Sequence, residues 1–112
     1  MSKKKVFQLS KKYFNYFQNK NIEALKKIFA LNISLKDWDI KKKGRKEVIK
    51  FNLEIFKKFK VIKVNVKEKF YVKNFKIICF IQICLNNKKL DVIDIIEFNK
   101  KFEIKSIRAY LG

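Results

Sequence analysis

The chain has 112 residues, with 29 Lys and Arg against 10 Asp and Glu, a formal net charge of +19 and no histidine. A chain of this length is one domain, residues 1–112, and it holds enough apolar residues for a core. The lack of histidine excludes His-based triads, imidazole bases and most zinc sites.

The basic start "MSKKKVFQLSKKYF" is followed by no apolar run of the secretory kind. The longest apolar stretch, "IICFIQICL" at 77–85, is too short to cross a bilayer as a helix. The expectation is a cytoplasmic protein with no membrane partner. All the basic residues are Lys except Arg45 and Arg108, and they are spread along the chain. Lys, Asn, Ile, Phe and Tyr abound, Pro is absent and Gly occurs twice, which is the signature of AT-rich codons. Genome composition thus accounts for much of the charge, and nucleic acid is the less favoured partner, since phosphate and base readers lean on Arg.

In chain order, residues 3–19 have a helical apolar stripe of Val6, Leu9, Tyr13 and Phe17, with Ser2 as N-cap. Asn21 caps a second helix, "IEALKKIFA" at 22–30. "ISLKDW" at 33–38 reads as a short strand with Ile33, Leu35 and Asp37 on one face. "DIKKKG" reads as a polar loop, and Gly44 opens a third helix over 45–59. Four strands come after it: 61–72, with Ile62, Val64, Val66, Phe70 and Val72 on one face; 74–85; 90–98; and 103–111. Cys79 and Cys84 lie five apart in one strand, on opposite faces, so they cannot pair with each other. Helices first and antiparallel strands after them argue α+β.

Strand 90–98, "LDVIDIIEF", places Leu90, Val92, Asp94, Ile96 and Phe98 on one face. A carboxylate among apolar neighbours must be paired, hydrogen-bonded or neutral. Asp37 repeats the situation beside Leu35.

The element order and the ending "VIDIIEFNKKFEIKSIRAYLG" at 92–112 resemble the nuclear transport factor 2-like superfamily, in its SnoaL-like and ketosteroid isomerase-like branch. The resemblance spans essentially the whole chain. It implies a cone-shaped (cystatin-like) α+β fold, with three N-terminal helices packed in a strongly curved, mainly antiparallel sheet. It also implies a homodimer formed through the open sheet face, for which the mixed face of Asp91, Ile93, Ile95 and Glu97 is suited.

Residue by residue, the resemblance puts Asp37 at the general base. It puts Tyr13 and a protonated Asp94 at the oxyanion hole. Trp38, Phe17, Phe56, Val92 and Ile96 would line an apolar pocket for a small-molecule ligand. No cofactor or metal is implied. Two positions depart from the family pattern: Trp38 replaces a small residue or Pro after the base, and Asn52 falls where a supporting tyrosine is usual. The implied chemistry moves a proton beside a carbonyl, with the neutral acid as hydrogen-bond donor, the arrangement known from ketosteroid isomerase.

Other readings stand beside these. Asp94 could be satisfied by a Lys, by Arg108 or by Tyr13; Asp37 could serve a turn; Tyr13 could be core. The whole chain could be a non-catalytic ligand-binding or dimerisation domain, or a basic module. The catalytic reading requires Tyr13, Asp37 and Asp94 to converge on a pocket of roughly a few hundred Å³.

Overall fold

A computed structural model describes residues 3–112. The Ser2 cap lies outside the described residues. Helix α1 (Lys3–Gln18) buries Val6, Ser10, Tyr13 and Phe14, with Leu9 and Phe17 at the edge of that stripe. At the sharp corner after it, Lys20 has φ 57°, and Asn21 caps α2 (Ile22–Ile28) by accepting a hydrogen bond from the Ala24 N–H.

The sequence carries this helix on to Ala30, but Phe29 is already extended and opens β1 (Phe29–Lys36). The reason is non-local: Phe29 pairs with Ile104 of the last strand, and both are fully buried. The expected loop at 39–44 contains a short strand, β2 (Lys41–Lys43), paired antiparallel with Ser34–Lys36. Gly44, at φ 92°, donates its N–H to the Ile33 carbonyl and opens α3 (Arg45–Lys58). That positive φ is one that a side chain would strain.

α3 turns Val48, Ile49, Asn52 and Phe56 inward. A carbonyl of its last turn, which lacks an intrahelical donor, and the two carbonyls just past its end meet the Lys20 ammonium. Lys20 Nζ donates to Phe56 O, Phe59 O and Lys60 O at 2.9, 2.6 and 3.0 Å. The corner between α1 and α2 is thereby tied to the end of α3.

The remaining strands are β3 (Ile62–Val72), β4 (Lys76–Leu85), β5 (Lys88–Phe98) and β6 (Ile104–Leu111). In β5 burial alternates as the sequence demands, with Val92, Asp94, Ile96 and Phe98 all buried. β3 departs from simple alternation. Its register with β4 slips between Val66 and Glu68, which reverses the facing of the residues beyond the slip. Phe70, expected beside Val66, is therefore exposed on the outer face, and Tyr71 packs against the core instead. Cys79 and Cys84 are both free, the first buried and the second half-buried.

The six strands form one sheet in the order β2-β1-β6-β5-β4-β3. The pairs β3–β4, β4–β5 and β5–β6 are antiparallel, but β1 runs parallel to β6, so the sheet is mixed. This corrects the expected cone. The sheet is neither strongly curved nor closed; its order ends at β2 and β3, and no pairing joins those two edges. Register slips in β1–β6, β3–β4 and β5–β6 adjust it only locally. α1 and α3, rather than the sheet bending round on itself, supply the apolar partner that the inner face needs.

Candidate functional site

A cavity of about 110 Å³ lies between α1, α3 and the inner face of the sheet. Tyr13, Asp37 and Asp94 all line it, together with Trp38, Phe17 and Val92. The other two expected lining residues do not reach it. Phe56 stands behind Phe17, ring centroids 5.5 Å apart, and Ile96 is fully buried in the core. The cavity is also smaller than the few hundred Å³ expected, because Phe14, Phe51 and Ile55 fill part of the space from the helices.

Asp94 sits in the middle of β5, with Cys79 of β4 and Ala109 of β6 as its register partners on either side. It is 6% exposed. Among the described residues it forms no ion pair or hydrogen bond through its side chain. Burial alone pushes its carboxyl up from the ordinary 3.8 to about 7. The partners considered from the sequence are not engaged. Arg108 lies beside Glu97, at 3.9 Å, where Lys76 and Lys105 also approach. Tyr13 makes no hydrogen bond to Asp94.

Tyr13 projects from α1, 7% exposed, with its ring among Phe14, Phe17 and Phe29. Its hydroxyl is held well above the ordinary tyrosine value, first by burial, then by the charge of Asp94 and of Cys79. It therefore stays protonated and available as a donor. Burial and the Asp94 charge together push the Cys79 thiol up to about 12, against a smaller opposing effect of Lys69.

Asp37 does make the turn that the sequence allowed. Its Oδ1 accepts from Asp39 N at 2.7 Å and Ile40 N at 2.8 Å, and its own N–H donates to Ile40 O. Among the described residues its other oxygen has no partner. The turn thus fixes the carboxylate at the rim of the cavity with one oxygen committed. Trp38, next in the turn, is 42% exposed and lines both the cavity and an adjoining groove that carries Lys36 and Arg108.

Asn52 is the lining residue that the sequence marked only by its place in the family pattern. It is buried on α3 and faces the same cavity. The strand residues Leu35, Ile81, Ile107 and Ala109 also line it. Their strand parity was readable, but only the pairing across β1, β6, β5 and β4 puts them on one wall. Among the described residues no cluster of three or more Cys, Asp or Glu could hold a metal ion. Chemically, the arrangement offers a protonated phenol and a carboxyl whose proton is held by burial up to about pH 7, both in an apolar cavity, and a carboxylate oxygen at its rim.

No protein-family model matches the chain, and no curated protein does. Solved structures do. A SnoaL-like protein of unknown function from Burkholderia thailandensis superposes with TM-score 0.89 at 9% identity, over 100% of this chain and 98% of that one. An NTF2-like protein of unknown function from Cytophaga hutchinsonii gives 0.81 at 20% identity, over 96% and 89%. The epoxide hydrolase/cyclase-like enzyme SalBIII, of pyran ring formation in the polyether salinomycin, gives 0.80 at 13% identity, over 99% and 93%. At these identities the likeness is one of fold: this chain has the NTF2-like, SnoaL-like fold over essentially its whole length.

Proposed function

We propose that the cavity binds a small apolar carbonyl compound by its oxygen and moves a proton on the carbon beside it. One observation carries this reading: Tyr13 and Asp94, both more than nine-tenths buried, face one cavity without a hydrogen-bond partner among the described residues. Tyr13 and the neutral form of Asp94 donate to the carbonyl oxygen. Asp37, through its uncommitted oxygen, takes a proton from the adjacent carbon. The electron pair of that C–H bond moves to the oxygen, giving an enolate that the two donors stabilise. Asp37 then returns the proton at the far end of the conjugated system, so the double bond migrates and no cofactor is consumed.

The apolar lining of Phe17, Val92 and Ile81 accounts for the neutral acid and for a ligand without charge. The size of the cavity favours a ligand of about one ring, since a cavity of ~150 Å³ accepts benzene. A homodimer is part of the same reading. Its support is an apolar patch on the otherwise mixed outer face of the sheet, where Phe70 and Phe80 meet edge-on at 5.5 Å and Tyr110 is exposed.

The test is isomerisation of cyclohex-3-enone to the conjugated ketone, tracked by absorbance, with wild type, Asp37→Asn and Asp94→Asn. Loss of either group lowers the rate by about 10²-fold or more. Rates unchanged by both substitutions overturn the assignment. A second reading, binding without turnover, is favoured by the commitment of Asp37 Oδ1 to its turn. Ligand binding by a wild type that lacks isomerase activity would select it.

A further inference from the structure

The buried face of α3 carries a single polar residue. Asn52 is 4% exposed and shares that face with Val48, Ile49 and Phe56. Its Nδ2 donates to the Val48 carbonyl, one turn back, at 2.9 Å. That bond fixes which end of the amide is which, since a backbone carbonyl can only accept. Asn52 lines the cavity that Tyr13 and Asp94 share, and its other end, Oδ1, is not taken up by that bond. Among the described residues no N–H or O–H group donates to it, and it is not sealed from solvent, so a water or a ligand can reach it.

A carbonyl oxygen on an apolar wall with no protein donor is open to a donor from water or a ligand, a demand that a leucine of similar size would not make. The polar lining is therefore differentiated: Tyr13 and the neutral form of Asp94 can donate as well as accept, Asp37 accepts at the rim, and Asn52 Oδ1 can only accept. We propose that Asn52 Oδ1 accepts a hydrogen bond from the ligand, so that the compound held here is a small hydroxylated carbonyl compound rather than a plain ketone. The proposal rests on the carbonyl-binding reading above. A hydroxyl suits the site better than an ammonium, because one amide oxygen among Phe51, Ile55 and Ile81 cannot replace the hydration of a cation. The small volume keeps both polar groups on or beside one ring.

The test uses matched probes: cyclohexanone, 3- and 4-hydroxycyclohexanone, and the methyl ethers of the two alcohols, which keep the oxygen and lose the donor. Dissociation constants are measured by calorimetry or NMR titration, with the side-chain carbonyl of Asn52 labelled with carbon-13. At least one alcohol should bind about tenfold more tightly than its ether, the effect of one hydrogen bond. The Asn52 carbonyl resonance should shift with that alcohol and not with its ether. In Asn52→Leu the ratio between the pair should collapse toward one.

Binding of cyclohexanone with no preference for either alcohol overturns this proposal and leaves the carbonyl reading standing. A preference that persists in Asn52→Leu overturns it as well. Failure of all five compounds to bind overturns both. If Asn52→Leu does not fold, the wild-type ratio and the Asn52 resonance decide.

Discussion

Asp94→Asn tests the neutral donor through stability alone, without any ligand. In the folded protein burial lifts the Asp94 carboxyl from 3.8 to about 7. In the unfolded chain it returns to the ordinary value. Between those two values the folded state holds a proton that the unfolded state has released. Stability from this group is therefore greatest at low pH and falls as pH rises, the reverse of a salt-bridged aspartate. A difference of roughly three pH units at ~1.4 kcal/mol each makes the full loss about 4 kcal/mol. Between about pH 5 and pH 8 the share of that loss is roughly 2–3 kcal/mol.

The assay is urea unfolding of wild type and Asp94→Asn across that range. The asparagine does not titrate, so the difference between the two proteins isolates Asp94 from the other carboxylates. Relative to wild type, the variant should gain about 2–3 kcal/mol of stability over the interval. A carbon-13 titration of the Asp94 carboxyl should show a midpoint near 7. A difference that stays flat with pH, or a midpoint near that of a free aspartate, refutes the neutral acid and with it the oxyanion-hole role.

Three further outcomes are expected. Lys20→Met leaves the carbonyls of Phe56, Phe59 and Lys60 without their shared donor, and should cost about 1–3 kcal/mol in chemical denaturation; an unchanged midpoint would show that the contact contributes nothing. Trp38, the only tryptophan, stands at the cavity rim. Acrylamide quenching of its fluorescence should fall when cyclohexanone binds, and quenching that ignores a bound ligand would place the ligand elsewhere. Phe80→Lys changes an exposed residue of the outer sheet face. It should convert a dimer to a monomer in light scattering with little change in melting temperature, and an unaltered mass would remove that face from the interface.

Much of the architecture was legible because it is local. Alternation along β5 comes from the two-residue period of an extended chain, so Asp94 among Val92, Ile96 and Phe98 was readable before any folding. The helical stripe through Val6 and Tyr13 and the cap at Asn21 are likewise properties of a few neighbouring residues. Where the reading failed, a distant partner decided. Phe29 leaves the helix because Ile104 pairs with it, and Lys41–Lys43 become a strand because Ser34–Lys36 lie alongside. One slipped register in β3 moves Phe70 outward and Tyr71 inward, which no parity count along the chain can see.

The candidate site divides in the same way. Sequence by itself supplied Asp94 on an apolar strand face, Asp37 at the end of a strand on the face of Leu35, and Tyr13 on an apolar helix stripe, because each depends only on local periodicity. Tertiary structure decided that all three meet one cavity and that Arg108 is drawn to Glu97 rather than to Asp94. It also left Phe56 and Ile96 behind the wall, and Asn52 on it with an open acceptor. Those facts depend on how an open mixed sheet stacks against α1 and α3. Such packing is set by contacts between residues far apart in the chain, which no local pattern encodes.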